Sequence, residues 1–509
     1  MFNNCAPREL SVAVKAGQVL LCGFPTPDPA RAKELIQDLY VGGIVYFSHN
    51  LGTVDEVREL SLCLQSYAQA SPTGWPLLLA IDQEGGTVSR LTKDVPRWPC
   101  AMAVSAASLG VGDATLARRV YYAMGRELAA AGIHANFAPV LDVNDSPENP
   151  VIGVRSFGDD PSWVGELGVM AMRGLTDAGV LGIGKHFPGH GNASEDSHAV
   201  LPAVTRGVDM LAKTELEPFR RTVAAGLNGL MTAHVVYPAL DPINPATLSA
   251  TIIGKVLRQQ LQFQGLLVTD CLEMSAIAKG VGTARGAVQA LKAGSDMVLV
   301  SHSLELQRAT HQAICAAVSS GELPAHRLDE AVCRIAAAKA QWCTSAPRPL
   351  SEAERTAFAA LRETVFGAAI TVVADRQALL PLADSLGARV LVASDEGLLH
   401  SARETLLQHL RCGVGDVRAV EHMEDATAVV LVRNLAVDAV QSRTVREIAR
   451  GHQRTIVVAL GSPYDLAHIP AHTTRICTYN ADSHSLRALA AILLGRQTAL
   501  GKLPIQLQI

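Results

Sequence analysis

A polar loop near the middle of the chain carries residue types suited to acid–base chemistry. It follows the apolar run Gly179–Gly184 and holds three histidines and two acids, with Asp196 two residues before His198. Glycine and proline give such a loop an irregular backbone, which suits it to hold a side chain over a pocket. Histidine exchanges protons near neutral pH, and a neighbouring carboxylate can fix its tautomer. Asp196 and His198 are therefore a candidate acid–base pair, with a loop ion pair that does no chemistry as the alternative.

The same loop allows a second interpretation, a metal site built from His186, His190 and His198. Metal ligands on a helix are regularly spaced, for example four residues apart, but the stretch Phe187–Gly189 contains a proline and cannot form a helix interior. We therefore expect no metal at these histidines, and the chain as a whole implies no cofactor.

Asp270 is a second carboxylate suited to chemistry, because it ends the short apolar run Gly265–Thr269. In a sugar-binding barrel, a carboxylate at the end of a strand can attack an anomeric carbon and form a glycosyl-enzyme, which divides one difficult step into two. The alternative is a structural aspartate that caps the following segment. An aspartate after one strand and an Asp-x-His loop after another can meet at the same mouth of a barrel.

Further polar side chains stand in loops that suit a ligand rich in oxygen. Asp82 and Arg90 flank a double glycine, although a structural turn with a surface ion pair explains them equally well. Arg155 lies in a glycine-flanked loop, with a packing role as its rival. His234 can line a pocket, but a buried core histidine is the more common case.

Eight short apolar runs predict the strands that position these residues. Each is bounded by glycine, proline or a polar residue, as expected of strands buried on both faces. The predicted strands are Gln18–Phe24, Gly42–Ser48, Pro76–Asp82, Asn136–Val143, Val180–Phe187, Leu227–Val236, Gly265–Asp270 and Met297–His302. Helical patterns such as Val208–Ala225 and Thr251–Leu261 lie between them, and several end at a glycine.

Eight strands that alternate with helices predict a (β/α)8 TIM barrel, with a doubly wound sheet as the alternative. Barrel active sites lie at the C-terminal ends of the strands. Asp82, Lys185, His186, His234 and Asp270 all fall at or near such ends, so the predicted fold would gather them at one pocket.

The proline-containing stretch Ser345–Ser351 predicts a domain boundary. We predict a catalytic barrel over residues 1–345, a linker and leading helix over 346–366, and a smaller layered α/β domain, an αβα sandwich, over 367–509. The predicted strands of this domain are Ile370–Ala374, Val390–Ala393, Ala428–Val432, Thr455–Leu460 and Ile476–Tyr479.

Composition limits the classes of function. Among the 509 residues, 49% are hydrophobic and 18% charged, which favours large cores over disorder. The net charge of -4 gives no electrostatic footprint for nucleic acid or an anionic membrane. The ten cysteines form no Cys-x-x-Cys pair, and we interpret them as reduced. No signal peptide or membrane-spanning run is evident, so we expect a cytoplasmic location; the oligomeric state is left open.

Taken together, these stretches resemble the family-3 glycoside hydrolases, specifically the bacterial beta-N-acetylglucosaminidases (beta-hexosaminidases) that act on cell-wall fragments in peptidoglycan recycling. The second domain is similar to the C-terminal layered domain of longer members, and Gly501–Pro504 looks like its closing motif. The barrel stretches that carry the resemblance, in chain order, are Ala80–Gly86, Asn136–Val143, Gly153–Gly158, Lys185–His190, Asp196–His198 and Val268–Asp270.

The resemblance implies retaining exo-hydrolysis of terminal beta-N-acetylglucosamine from small carbohydrates, either muropeptides or GlcNAc-disaccharides, through a covalent glycosyl-enzyme. Asp270 would be the nucleophile, and His198 the acid/base paired with Asp196. The residues expected to hold the sugar are Asp82, Arg90, Arg155, Lys185 and His186.

One departure from the family pattern falls in the polar loop. Relatives usually carry Gly-Asp-Thr where this chain has Gly191-Asn192-Ala193. Three alternatives stay open: a phosphorylase that transfers the sugar to phosphate, a beta-glucosidase of the same family, and a sugar-binding protein without catalysis.

Overall fold

The computed structural model describes residues 9–193, 195–196, 200–382, 388–393, 397–410, 427–435 and 438–507. The described residues form two compact units. The first unit comprises those within Met1–Trp98, Arg118–Ile152 and Asp160–Glu354, and the second comprises those within Pro99–Ala117, Gly153–Asp159 and Arg355–Ile509.

The first unit contains a closed barrel of eight parallel strands, which confirms the predicted (β/α)8 fold. Around the barrel the order is β1-β2-β3-β6-β7-β8-β11-β12, and β12 pairs again with β1. Two short antiparallel hairpins, β4–β5 and β9–β10, follow β3 and β8. The strands are β1 Leu20–Cys22, β2 Gly43–Tyr46, β3 Leu78–Ile81, β4 Gln83–Gly85, β5 Val88–Ser89, β6 Ala135–Asn136, β7 Leu181–Phe187, β8 Gly229–Thr232, β9 Val236–Tyr237, β10 Asp241–Pro245, β11 Leu266–Cys271 and β12 Met297–Val300.

All eight predicted barrel strands occur, but the fourth is much shorter than predicted. The predicted strand Asn136–Val143 reduces to the two-residue β6, because Pro139 has no N–H to donate to a ladder. Beyond β6 the chain still follows β7, since Leu141 N donates to Lys185 O at 2.7 Å and Lys185 N donates to Pro139 O at 3.1 Å.

The helices of the two units include most of the predicted ones, with two differences. The predicted helix Val208–Ala225 is broken near Thr214 into two helices, and Thr251–Gln260 is a π-helical segment. The α-helices are α1 Val12–Gln18, α2 Ala30–Gln37, α3 Val54–Gln69, α4 Ala101–Val111, α5 Thr115–Ala130, α6 Pro161–Asp177, α7 Val208–Lys213, α8 Leu216–Ala224, α9 Ser275–Ala278, α10 Thr283–Ala293, α11 Leu304–Ser319, α12 Ala325–Trp342, α13 Glu352–Ala369, α14 Gly397–Leu410, α15 Ala439–Gly451 and α16 Ser483–Leu493. Short 3-10 turns span Ser48–Asn50, Gly153–Arg155, Ala246–Leu248 and Pro463–His468.

Local capping sets the ends of two helices of the first unit. Thr53 and Glu56 form a capping box at the start of α3. At the start of α6, the Asp160 side chain accepts from two backbone amides. Gly179 follows α6 with φ +79°, a conformation in which glycine has no Cβ penalty.

The second unit is a smaller α/β domain, as predicted. Its sheet has the order β13-β17-β16-β15-β14, with β13 antiparallel and the other pairs parallel. Its five strands are β13 Thr371–Ala374, β14 Ala388–Val392, β15 Thr427–Val432, β16 Thr455–Ala459 and β17 Thr474–Cys477.

Two stretches from the first third of the chain belong to this second unit, namely residues 99–117 with α4 and residues 153–159. Lys502 N donates to Ala106 O at 3.2 Å, and Cys100 N donates to Asn480 Oδ1 at 3.2 Å. The predicted domain limits of 1–345, 346–366 and 367–509 stay a prediction.

Among the described residues, no helix combines the length and the apolar character that crossing a membrane requires.

Candidate active site

Lys185 forms the cationic centre of a polar cluster at the C-terminal ends of the barrel strands. Its side chain is buried within β7, and Nζ lies 2.7 Å from Asp82 Oδ1 and 2.6 Å from Glu84 Oε1. Two carboxylates that are charge-assisted hydrogen-bond partners hold the ammonium group in place. The structure thus brings the predicted residues Asp82 and Lys185 together. Glu84 was not singled out from the sequence.

Asp142 connects His186, which lies in β7, with His190 in the loop that follows this strand. Its Oδ2 lies 2.7 Å from His186 Nδ1, and its Oδ1 accepts from the backbone N–H of His186 at 3.1 Å and of His190 at 2.6 Å. Burial works to raise the pKa of Asp142, but His186 and His190 outweigh it, and the pKa lies below its ordinary value. A carboxylate only accepts, so Nδ1 of His186 carries its proton toward Asp142. Asp142 was missed as a site residue, although it stands at the end of a predicted strand, as Asp82 and Asp270 do.

Asp270 stands near the C-terminal end of β11 beside several of these groups. Its Oδ1 accepts from Cys271 N at 2.7 Å. Burial works to raise the pKa of Asp270, but the charges of His234 and His186, the Cys271 hydrogen bond and the charge of Lys185 outweigh it. The net pKa lies below the ordinary aspartate value, so this side chain is an anionic carboxylate at neutral pH.

His234, which follows β8, is buried and hydrogen-bonded through both ring nitrogens. Nε2 lies 2.9 Å from Cys271 O and Nδ1 lies 2.8 Å from Thr247 Oγ1. A carbonyl only accepts, so Nε2 donates to the backbone next to Asp270. His234 therefore fixes the main chain after Asp270 and contributes to its low pKa.

Arg90 leaves the β4–β5 hairpin with its backbone held by Gln83. Gln83 Oε1 accepts from Arg90 N at 2.7 Å and from Leu91 N at 3.2 Å. Arg90 Nε is buried and has no hydrogen-bond partner among the described residues. A buried guanidinium N–H without a partner can meet an oxygen of a ligand.

Asn149 holds the first part of the loop after β7. Its Oδ1 accepts from two following backbone amides at 2.9 and 2.7 Å. Close packing also fixes this part of the loop, because a Cβ on Gly191 would lie 1.8 Å from Val143 O. The side-chain amide of Asn149 donates at 2.9, 3.1 and 3.0 Å to the carbonyls of His190, Gly191 and Ala193. No spacing in the sequence pointed to Asn149, because its partners lie 41 to 44 residues further along the chain.

Asn192 and Ala193, the two loop residues that depart from the family pattern, both contact other parts of the first unit. Asn192 Nδ2 donates to Asp145 Oδ1 at 3.0 Å, and Arg206 bridges Asp145 Oδ2 at 2.6 Å and Glu215 Oε1 at 2.7 Å. Burial raises the pKa of Glu215 to about 7, against the lowering effect of Arg206. The Ala193 methyl is fully buried in an apolar cluster. An amide and a methyl group therefore replace the usual charge and hydroxyl.

The described geometry leaves three of the predicted residues untested. Asp196 is half-buried in the loop, whereas His198 lies outside the described residues, so their pairing stays a prediction. Arg155 ends the turn Gly153–Arg155 in the second unit, and its predicted contact with the sugar is likewise untested. The described residues contain no metal-binding group of three or more His, Cys, Asp or Glu, and the metal hypothesis involves His198, which they do not include.

The chain is similar to known proteins over its barrel and over its whole length. Residues 11–338 match the glycosyl hydrolase family 3 N terminal domain. The beta-hexosaminidase A of Pseudoalteromonas piscicida is 39% identical over 285 residues, which cover 53% of this chain and 48% of that protein, so the match spans about half of that relative. The beta-hexosaminidase of Nitrosomonas eutropha is 39% identical over 51% of this chain and 73% of that protein. The solved family 3 beta-N-acetylglucosaminidase from Paenibacillus is 36% identical, with a TM-score of 0.89 over 98% of this chain and 99% of that chain.

Proposed function

The chain belongs to glycosyl hydrolase family 3, and on that premise we propose that it is an exo-acting beta-N-acetylhexosaminidase that retains anomeric configuration. The observation that carries the proposal is the carboxylate of Asp270, which lies near the C-terminal end of a barrel strand, with His234, His186 and Lys185 lowering its pKa. A nucleophilic carboxylate must be ionised to attack. The names of the similar proteins supply the preference for an N-acetylated sugar.

In the proposed first step, an Asp270 oxygen forms a bond to the anomeric carbon while the bond from that carbon to the leaving oxygen breaks. His198, oriented by Asp196, gives its proton to the leaving oxygen. In the second step His198 takes a proton from water, the water oxygen bonds to the anomeric carbon, and the Asp270 carboxylate is released. Two displacements at one carbon return the original configuration.

Sugar binding in this proposal rests on the cluster around Lys185. The carboxylate of Asp82 and the guanidinium of Arg90 match sugar hydroxyls as acceptor and donor. With Nδ1 of His186 held by Asp142, Nε2 of His186 is the ring atom that can meet a substrate oxygen. Arg155 is proposed as a further ligand of the sugar.

We propose GlcNAc-terminated disaccharides or muropeptides as substrates, and peptidoglycan recycling in the cytoplasm as the setting. The similar hexosaminidases support the substrate class. The eight described cysteines are free thiols, as suits a reducing compartment.

The first test is release of 4-nitrophenol from its N-acetyl-beta-glucosaminide and from its beta-glucoside, each with and without phosphate. Hydrolysis of the N-acetyl substrate alone supports the proposal. Acceleration by phosphate with sugar 1-phosphate as product would make the enzyme a phosphorylase, preference for the glucoside would make it a glucosidase, and binding without turnover would make it a sugar-binding protein.

Asp270→Asn is expected to abolish turnover, by about 10³-fold or more, because an amide cannot form the glycosyl-enzyme. The matched control is Asp177→Asn, which removes one carboxylate from an exposed ion pair with Arg118 and should leave kcat/KM unchanged. Circular dichroism checks that both variants fold. Full activity of Asp270→Asn would overturn the proposed mechanism.

A further inference from the structure

Three rings form a cluster just beyond the C-terminal ends of β2 and β12. The ring centroids of Phe47 and His302 are 4.9 Å apart, and those of Phe47 and His49 are 5.8 Å apart with nearly parallel planes. Phe47 is half-buried, whereas His49 and His302 are exposed. The cluster therefore presents ring surface to solvent on the face of the barrel that carries Asp270.

Contacts between neighbouring strands connect this ring cluster to the residue after Asp270. Gly23, directly after β1, leaves room for its neighbours, because a Cβ there would lie 2.1 Å from Ser301 O and 3.2 Å from Phe47 Cε2. Ser301 Oγ in turn donates to Cys271 Sγ at 3.1 Å. The rings thus lie on the side of the barrel mouth next to β11, and they are separated from Asp270 by only a few touching residues.

Hydrogen bonds to the backbone hold the ring-bearing segments in place. Glu273, three residues after Asp270, accepts from His302 N at 2.7 Å and from Ser303 N at 3.0 Å. His49 Nε2 lies 3.0 Å from Phe24 O. A surface that is already held in place loses little conformational freedom when it binds a ligand. The hydrogen bonds to these segments therefore suit them to a binding role.

We propose that Phe47, His49 and His302 form the binding surface for the leaving-group sugar, a proposal that rests on the proposed function. The residues around Lys185 are polar and suit the sugar that is cleaved off, whereas the ring cluster offers apolar faces to the next ring. A pyranose has an apolar C–H face that is stabilised when it leaves water for an aromatic surface, and the His302 ring nitrogens together with Nδ1 of His49 can form hydrogen bonds with its hydroxyls. The occupant is therefore a second saccharide ring linked to the N-acetylated sugar.

The test compares a substrate that has a leaving-group ring with one that has none. N,N'-diacetylchitobiose carries a second pyranose, whereas N-acetyl-beta-glucosaminyl fluoride releases only fluoride. For Phe47→Leu and for His302→Ala, the ratio of kcat/KM for the disaccharide to kcat/KM for the fluoride should fall about tenfold, mainly through KM, because one stacking contact is lost. His326→Ala, at an exposed histidine near the start of α12, is the control and should keep the ratio.

An unchanged ratio in both ring variants, or an equal loss on both substrates, would overturn the binding surface and leave the proposed function standing. If the unmodified enzyme hydrolyses neither substrate, the proposed function itself fails, so the two failures can be told apart.

Discussion

The ionisation of individual buried carboxyl groups in and near the candidate site depends on their immediate neighbours. Asp142 stays ionised although it is fully buried, because two histidines compensate for the lost hydration. Glu215 shows the opposite balance, since burial raises its pKa to about 7 despite Arg206. Residue type alone does not distinguish these cases, because the sign of each pKa shift depends on the charges packed around the carboxyl group.

His198→Ala tests the proposed proton donor. The kcat/KM for substrates with poor leaving groups should fall by about 10² to 10⁴, because their leaving oxygen needs a proton, whereas activated aryl glycosides should lose far less. The measurement is kcat/KM over a series of aryl glycosides with different leaving-group pKa values. Equal losses across the series would count against the acid role.

Glu215 should give the protein a pH-dependent stability. Because its folded pKa of about 7 exceeds the ordinary 4.5, the native state keeps a proton that the unfolded chain releases. This contribution is fully present below about pH 4.5 and is lost as the pH rises to about 7. Between about pH 4.5 and about pH 8 the wild type should therefore lose stability relative to Glu215→Gln, on the order of 3 kcal/mol. Denaturation midpoints at both pH values measure it, and a difference independent of pH would contradict it.

At the scale of elements, the loop after β7 is fixed by partners from other elements. Asn149 donates to three of its backbone carbonyls. Asn192 donates to Asp145, and Arg206 links Asp145 to Glu215, which stands directly before α8. The loop begins at the end of β7 and continues toward Asp196, so the placement of its first residues limits where the acid–base pair can stand.

A hydrogen-bond swap tests this loop. Asn192→Asp introduces the residue usual in relatives, but here it would face the carboxylate of Asp145, whose Oδ1 is 3.0 Å from Asn192 Nδ2. Like charges at this distance repel, so kcat/KM for disaccharides should fall about tenfold.

Adding Asp145→Asn to that variant should restore the rate. The amide introduced at position 145 could donate to the carboxylate introduced at position 192 and keep its carbonyl oxygen for Arg206, which in the wild type binds the carboxylate of Asp145 at 2.6 Å. Both variants are compared with wild type by kcat/KM and thermal midpoint. A double variant as slow as the single one, or a single variant as fast as wild type, would refute the role of this network.

For the whole molecule, the second unit is discontinuous in sequence. The helix α4, Ala101–Val111, is almost entirely apolar, and its residues 101–108 are buried. Within the second unit it meets the C-terminal stretch, where a Cβ on Gly110 would lie 2.3 Å from Leu500 O.

A fragment that ends at residue 345 should therefore fail to stay monomeric. It keeps α4 but removes the C-terminal part of the unit to which α4 belongs, and an exposed apolar helix promotes association. Size-exclusion chromatography and dye binding to apolar surface measure this against the full chain. A monomeric, fully folded fragment would show that the predicted limit at 345 separates two independent domains.

The sequence by itself determined the barrel, the smaller α/β domain and the resemblance to family 3, all of which are confirmed. Strand and helix periods, glycine stops and strand-end polar residues are local signals, and parallel strands necessarily bring their C-terminal ends together. Only the tertiary structure decided which groups face one another: His186 with Asp142, Asn149 with the loop carbonyls, Asp270 with His234, and α4 with the C-terminal stretch of the chain. Such pairings depend on packing between distant segments, and neither residue type nor spacing contains that information.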